Sequence, residues 1–490
     1  MSHLPVLLVI VYLGSAFLTP LLSRLKRFSA NWFAVGVAAL GLLVSGTSAL
    51  YLAEVGPFSY FPGGHPLPWG IEISVDWVAV YMQLTINFIA FMVLIYSKAD
   101  LIREVEQGAI SWYYTLFFLL MAALNGLALA ADLFNIYVFT EISSLTACAL
   151  VAIKSQRQCV EASLKYMILS TLGSGMVLLG ISLIYMVTGH LNINVLGQAL
   201  PAAFAAYPWN ILVALSLFII GFGIKSALFP LHVWLPDAHS SAPTPSSAVL
   251  SGLVIKVYVI VLAKIIFQVF GIDLFSAIPI PEVLLLLATF GIFAGSILAI
   301  GQKDIKRMLA YSSVAQICYI YMGLALVTET GAVGGLLHVF NHAVMKSSLF
   351  LAAGAIIYKT GIRKIEDLAG IGYRMPITMA VFSVGALSMV GIPGFSGFIS
   401  KYYLAFGALD AGKPFYVAVI LLSSLLNAIY YFPIIVRAFF GQGGGKFSRD
   451  NLPRMMSLPM LVLAGITVYF GILPGGLVKI VELAAATWLR

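Results

Sequence analysis

Between positions 246 and 270 the chain carries no charged residue except Lys256 and Lys264, and similar apolar runs occupy 166–188 and 332–358. Each exceeds the ~20 residues that carry an α-helix through the ~30 Å hydrocarbon core of a bilayer. In hydrocarbon every backbone polar group must be paired internally, which restricts such runs to helix. A large soluble core is excluded by composition. The chain is 61% apolar and 9% charged, against roughly 45–50% and about 25% in soluble domains, so the polar residues needed to cover that core are missing. The fold class is an all-α polytopic membrane protein.

Fourteen spans are predicted, over 4–23, 30–53, 76–97, 112–131, 133–153, 166–188, 210–231, 246–270, 282–300, 308–327, 332–358, 377–405, 415–436 and 456–473. Lys and Arg accumulate in cytoplasmic loops, which tests the count. With the N-terminus outside, the outer loops hold only Lys413, Lys479 and Arg490, while Lys225, Lys256, Lys264, Lys346 and Lys401 lie inside spans. All other Lys and Arg, from Arg24, Lys26 and Arg27 to Arg437, Lys446, Arg449 and Arg454, fall in inner loops. A span miscounted early would destroy that asymmetry. The expectation is a multi-pass protein of the cell inner (plasma) membrane with both termini on the outer face. It forms one transmembrane domain over 1–490, with leading helices in about 1–97, repeats in about 112–270 and 282–436, and a last helix in about 456–473. Met1 to Pro20 has no basic leader region and no small-residue cleavage site, and reads as the first span. The loop 437–455 contains a flexible stretch, Gly441 to Gly445.

The net charge of +8 does not point to nucleic acid, because the basic residues form short clusters between spans instead of a run interleaved with aromatics. Cys148, Cys159 and Cys318 have no metal-ligand spacing. No phosphate-binding loop or dinucleotide fingerprint is present, so no cofactor, metal or catalytic residue is expected.

Two spans contain helix breakers. The seventh runs into Ser226-Ala227-Leu228-Phe229-Pro230, and the twelfth contains Gly391-Ile392-Pro393-Gly394-Phe395-Ser396-Gly397. Mid-membrane proline opens a helix, which is tolerated where the break lines a protein cavity. The two spans are five apart and cross in opposite directions, as in inverted five-helix repeats with an ion site at the breaks.

The deep ionisable residues sit near these features. Glu141 lies near the middle of the fifth span and Lys256 near the middle of the eighth. Lys225 precedes the first break and Lys401 follows the second. His338, His342 and Lys346 follow one another at i, i+4 and i+8 on the eleventh span. Intramembrane charges face partners or water and mark ion paths. Five lysines sharing the membrane with one deep carboxylate cannot all be paired, and a lysine whose proton occupancy depends on its neighbours is the unit of a proton relay. Plainer readings stand beside this one. Glu141 can be glue between helices, the histidines satisfied core residues, and Lys346 a counter-charge to helix ends. Lys264, nearer the outer end, can snorkel. His232 and His239, placed in an inner loop, are even between a structural role and proton uptake. Sodium would need oxygen ligands, for which Glu141 and loop aspartates are the obvious donors. A transporter of small organic solutes would also have broken helices, but a row of lysines serves protons better.

The stretch Lys225-Ser226-Ala227-Leu228-Phe229-Pro230-Leu231-His232-Val233-Trp234-Leu235-Pro236-Asp237-Ala238-His239, with Ala242-Pro243-Thr244-Pro245, resembles the signature of antiporter-like subunits. These subunits occur in respiratory complex I, Mrp-type cation/proton antiporters and membrane-bound hydrogenases. The Glu141 region, Asp304 to Ser313, His338 to Lys346 and Gly391 to Lys401 resemble the same family. The resemblance implies fourteen helices with two inverted five-helix repeats and broken helices 7 and 12. It also implies a Glu141–Lys225 pair, a central relay of Lys256 with His338 and His342, and Lys401 as the terminal lysine. Other membrane subunits are implied as partners, with protons and possible sodium as cargo. Lys256 within Gly252-Leu253-Val254-Ile255-Lys256-Val257 is similar to the D-type subunit of Mrp antiporters. Ser251 stands where the largest complex I subunit has a His, and the chain stops soon after its last span, where that subunit continues into a lateral helix. The His338/His342/Lys346 trio is more like the larger subunit. The Mrp D-type subunit is the first choice, and a pumping subunit of complex I or a hydrogenase the alternative.

Overall fold

The computed structural model describes residues 3–25, 28–65, 67, 70–441 and 451–489. Lys26, Arg27, Lys446, Arg449, Arg490 and the glycine stretch beyond Gly441 lie outside the described residues. In chain order the first helices are α1 (Leu4–Leu22), α2 (Ala30–Val55), α3 (Trp77–Glu104), α4 (Ile110–Leu129), α5 (Leu133–Ala152), α6 (Arg157–Thr188), α7 (Ile193–Ala206), α8 (Pro208–Lys225), α9 (Leu235–Ser241), α10 (Thr244–Val249) and α11 (Ile255–Lys264). They continue with α12 (Ile272–Ala277), α13 (Ile280–Ile300), α14 (Ile305–Ala325), α15 (Glu329–Thr360), α16 (Ile371–Arg374), α17 (Pro376–Val390), α18 (Ser396–Asp410), α19 (Phe415–Phe440), α20 (Arg454–Ile472) and α21 (Gly475–Leu489). A short antiparallel hairpin, Phe58–Tyr60 with Ile73–Val75, lies between α2 and α3.

Among the described residues thirteen helices are long and apolar enough to cross a membrane, with α10 and α11 counted as one span, Thr244–Phe270. The pair α17 and α18 completes the fourteen expected spans as one broken crossing. The amphipathic α7 and the closing α21 were not anticipated. Thr244–Phe270, α14 and α15 are almost wholly enclosed, whereas α1, α6, α19 and α20 keep apolar faces such as Phe17, Leu172, Leu421 and Leu461 turned outward. A helix buried on all sides has no lipid to exclude its polar groups, and Lys256, Lys264, Lys306, His338, His342 and Lys346 sit on those enclosed helices.

Both breaks follow from helix-end chemistry. Helix α8 stops at Lys225, shorter than the span 210–231 expected, and the chain passes through turns before resuming as α9. Helix ends leave carbonyls without intrahelical partners. Here Trp234 Nε1 donates to the Ile224 carbonyl at 2.8 Å, and Ser226 Oγ donates to the Phe222 carbonyl at 2.7 Å. At the second break Gly391 and Gly394 take left-handed φ of 92° and 91° around Pro393. The freed carbonyls of Met389 and Val390 are taken by Lys401 Nζ at 2.9 and 3.0 Å, and Met389 also by Asn427 Nδ2.

The two halves repeat the same local devices in the same order and at nearly equal spacing along the chain. Asp132 caps α5 and Asp304 caps α14 through side-chain bonds to backbone N–H groups. Helices α6 and α15 each have 32 residues and end on a left-handed glycine, Gly189 and Gly361. Antiparallel bridges then tie each helix exit to the preceding cap, Asp132 with Asn192 and Asp304 with Lys364. Tyr207 and Met375 share nearly the same backbone angles before Pro208 and Pro376, which open α8 and α17. Five crossings separate each span of the first set from its counterpart, so the repeats are inverted.

Asp304 does more than cap. Its second oxygen meets Arg363 Nε at 2.8 Å, and Arg363 reaches the Ser240 carbonyl. Asp132→Ala is expected to cost about 1 kcal/mol, the usual worth of a cap. Asp304→Ala is expected to cost roughly twice that by stranding Arg363. Thermal melting of the detergent-solubilised protein checks this, and equal shifts would contradict it.

Candidate functional site

Helix α8 delivers Lys225 to a position between α5, α6 and α11, where the side chain is fully buried. Its ammonium donates to Ser144 Oγ at 2.7 Å and Ser170 Oγ at 3.0 Å, and stands 3.8 Å from Glu141 Oε1. It also lies 5.7 Å from the Tyr258 ring. The Glu141 side chain, 27% exposed on the outer flank of α5, accepts a hydrogen bond from Ser174. Tyr258 OH lies 2.7 Å from Ser143 Oγ and 3.1 Å from Ser144 Oγ, which links this corner to the helix that carries Lys256. The expected pair is thus present as two neighbouring charges held by hydroxyls, close enough to couple and too far apart for a direct hydrogen bond.

Lys256 follows the π-helical turn Leu250–Val254 and donates to the Ser251 carbonyl five residues back. Single π turns recur at functional sites, and this one spares a carbonyl for the ammonium. Ser251 Oγ lies 2.8 Å from Ser313 Oγ on α14. On α15, His338 and His342 stack at 5.7 Å with 12° between the rings. His338 reaches Ser400 Oγ at 2.9 Å through Nδ1 and Gln316 Oε1 at 3.0 Å through Nε2. Ser400 adjoins Lys401, whose ammonium also meets Ser424 Oγ at 3.0 Å and lies 5.2 Å from the Tyr319 ring. Among the described residues, neither ring nitrogen of His342 has a hydrogen-bond partner.

Lys346 leaves this line. It donates to the Leu309 carbonyl at 2.9 Å and to Ser312, with Tyr431 OH at 3.5 Å. These partners lie within α14 and α19, not at a helix end. Lys264 donates to the Ala130 carbonyl just past the end of α4.

Three expectations are corrected. His239 does not lie in a loop, and His232 lies in the turns of the break and not in an open connection. His232 sits in the first break, stacked on Phe229 at 5.4 Å, and His239 is fully buried on α9 beside Phe350. Glu141 is not the only deep carboxylate, because α3 runs past the expected end at 97 to Glu104 and carries Asp100, 1% exposed, into the interior. Lys306, assigned to an inner loop, is buried in the first turn of α14 and donates to the Ala242 carbonyl at 2.7 Å. Sequence reasoning also passed over the hydroxyls that hold the lysines. Their signal is visible in retrospect: Ser170 and Ser174 stand at i and i+4 on α6, as Asp100 and Glu104 do on α3.

Chemically, the arrangement is a set of exchangeable protons held by groups that both give and take them, with gaps at Lys256 and His342. If Lys346 is mainly a carbonyl cap, Lys346→Met is expected to leave the melting temperature unchanged or raised. A buried charge whose removal broke an essential pair would instead cost roughly 3–5 kcal/mol. Thermal unfolding of the purified complex distinguishes the two.

The family model described as NADH:quinone oxidoreductase/Mrp antiporter, transmembrane, matches residues 130–427. The chain is 40% identical to the NADH-quinone oxidoreductase subunit N of Desulforudis audaxviator, over 99% of each chain. It is 28% identical to the D-type subunit of the Na+/H+ antiporter of Alkalihalophilus pseudofirmus, over 91% of this chain and 89% of the other. It superposes with a TM-score of 0.92 on a chain of the membrane-bound sulfane sulfur reductase, an archaeal respiratory membrane complex. That chain is 30% identical, and the match covers 100% of this chain and 98% of the other.

Proposed function

The chain belongs to the NADH:quinone oxidoreductase/Mrp antiporter transmembrane family, and from that premise we propose that it carries protons across the membrane for a multisubunit complex. It is an antiporter-like membrane subunit, with other membrane subunits as partners. The observation that carries the proposal is Lys225, an ammonium enclosed on all sides, 3.8 Å from a carboxylate and clamped by two hydroxyls. A nearby carboxylate favours the charged form of lysine and burial disfavours it. Moving Glu141 away would therefore release the Lys225 proton.

In this reading the proton passes from Lys225 through the Ser144–Tyr258 hydroxyls towards Lys256, then by way of His342 and His338 to Ser400 and Lys401. Water or side-chain movement bridges the gaps at Lys256 and His342. Lys346 lies beside the path, and His232 and His239 are proton-uptake candidates. Both termini are taken to face the outside of the cell inner membrane, in keeping with the basic loops. The domain is divided into leading helices (about 1–97), two repeats (about 112–270 and 282–436) and a last helix (about 456–473).

The D-type subunit of an Mrp antiporter, the first choice from sequence, is not singled out by the relatives. The greater likeness to a subunit N favours the pumping arm of a redox complex of the NADH:quinone oxidoreductase kind, with any redox chemistry on other subunits. Na+/H+ antiport is the second reading, supported by the Gly252–Val257 segment and by the antiporter relative.

Proton flux in vesicles holding the native complex, with and without an electron donor or a sodium gradient, separates these readings. Under both, Lys225→Ala and Glu141→Ala are expected to lower flux about a hundredfold, the scale of losing a positioned proton carrier. Flux driven by the donor alone supports the redox reading, and flux driven by sodium alone supports antiport. Wild-type flux in both variants would overturn the relay.

A further inference from the structure

At the basic end of the protein, the end of α13, the start of α14 and the last turns of α19 border a cavity of about 300 Å³, away from the line joining Lys225 to Lys401. Lys303, Arg437 and Glu366 stand on its rim. All three are exposed, and none belongs to an ion pair among the described residues. Their neighbours at this end are matched, Lys154 with Glu104, Arg307 with Asp237 and Arg363 with Asp304. The rim is also fixed by the backbone. The Ile365 N–H donates to the Lys303 carbonyl at 2.8 Å, beside Glu366, and the Gly370 N–H donates to the Arg437 carbonyl at 3.1 Å.

Pro433 interrupts α19 in the wall of the same cavity. Proline brings no N–H, so the carbonyl one turn earlier, that of Ile429, loses its helical donor. Ile429 lines the cavity too. Two donors, Lys303 and Arg437, therefore share this space with two acceptors, Glu366 and a freed carbonyl. Away from the rim the wall is apolar. Ile300 and Ile429 are exposed, and one turn deeper Ile297 and Leu425 also face outward, where α13 packs beside α19. Charges that only meet water need no cavity between them, and bare aliphatic faces alone are the ordinary lipid boundary. Their junction at one fixed pocket has the outline of an amphiphile.

We propose that this cavity binds the headgroup of one aminophospholipid, with the chemistry of phosphatidylethanolamine, from the leaflet at the basic end, its acyl chains lying along α13 and α19. The phosphate meets the Lys303 ammonium and the Arg437 guanidinium, whose fork matches phosphate oxygens. The primary ammonium meets Glu366 and the Ile429 carbonyl. Basic pockets between spanning helices are a known way to hold lipid headgroups, and the carboxylate gives this one its selectivity. A glycerol headgroup brings no cation to Glu366. A choline headgroup has no N–H to give the carbonyl. The proposal does not depend on the proton relay.

The test uses the native complex, purified in detergent and stripped of lipid, to which phosphatidylethanolamine, phosphatidylglycerol, phosphatidylcholine or inorganic phosphate is returned. Native mass spectrometry counts the lipid retained, and thermal unfolding reads the stability gained. The variants, Lys303→Ala/Arg437→Ala and Glu366→Gln, change exposed side chains and leave the backbone bonds of the rim in place. Phosphatidylethanolamine is expected to stabilise the wild type at the lowest concentration. The double variant is expected to retain one lipid fewer per copy of the chain. It should also need about tenfold more lipid for the same gain, the scale of losing a hydrogen bond to a charged group. Glu366→Gln is expected to keep the site but narrow its preference for phosphatidylethanolamine over phosphatidylcholine. A wild type that prefers phosphatidylglycerol, or a Glu366→Gln variant with unchanged preference, would overturn the aminolipid assignment. Equal protection by inorganic phosphate would overturn the lipid reading. Equal lipid retention by wild type and double variant, or loss of a partner subunit from the double variant in place of lipid, would overturn the site itself.

Discussion

A buried ammonium resting on a backbone carbonyl is the interaction on which the interior of this protein depends. Lys256 uses the carbonyl of Ser251, Lys264 that of Ala130, Lys306 that of Ala242, Lys346 that of Leu309, and Lys401 those of Met389 and Val390. Most of these carbonyls are ones a helix has let go, at a π turn, a helix terminus or a break. A charge at the bilayer centre costs about 3 kcal/mol on insertion scales, and a hydrogen bond to a charged group returns roughly 1.5–3 kcal/mol. The near-balance matters. A contact ion pair would hold each proton against a loss of roughly 3–5 kcal/mol, whereas a carbonyl supports either protonation state of the nitrogen. Lys225 departs from the pattern, and its carboxylate stands off at 3.8 Å.

The inverted repeats reuse the fold without reusing its chemistry. Asp132 and Asp304 cap equivalent helices, yet at the same distance beyond each cap the first half has Glu141 and the second has Ser313. Lys225 ends α8 with hydroxyls and a carboxylate, while Lys401 reaches back from α18 to the freed end of α17 and has Ser424 as its side-chain hydrogen-bond partner among the described residues. Symmetric backbones with asymmetric acids give two lysine sites with unlike surroundings. The proposed proton path, if it is to have a direction, needs that inequality.

How much of this was legible in the sequence depends on how far each residue's role is local. The spans were readable because hydrocarbon demands about 20 apolar residues, and the breaks because proline and glycine act on their own backbone. Glu141, Lys225 and Lys401 stood out as charges where few are tolerated. The partners did not. Ser144, Ser170 and Tyr258 are ordinary in a membrane helix until three helices converge on Lys225. Asp100, Glu104 and Lys306 were lost for a different reason. The rule that basic residues mark inner loops stops a helix at the first charge, but α3 continues through Asp100 to Glu104 because Lys154 and Lys306 are there to receive it. His239 was misplaced because the short helix α9, which resumes after the first break, was not anticipated.

The hydrogen bonds that can be followed fall into two fixed stretches, one around Lys225, Ser144 and Tyr258, the other from His338 through Ser400 to Lys401. Between them Lys256 has the Ser251 carbonyl and His342 has no partner among the described residues. That interruption is a requirement. A wire bonded from end to end would let protons run down any gradient, and nothing done elsewhere in a complex could be coupled to their passage. The gap also falls where the backbone has slack, at the π turn Leu250–Val254. Gly252 there packs against α15, so that an added Cβ would run into Ser347 Oγ. In the proposed relay, a small shift of this turn would change how the Lys256 ammonium is held. In the proposed relay, opening of the Glu141–Lys225 pair would reach the same helix through Tyr258, two residues from Lys256, and so join the pair to the gap.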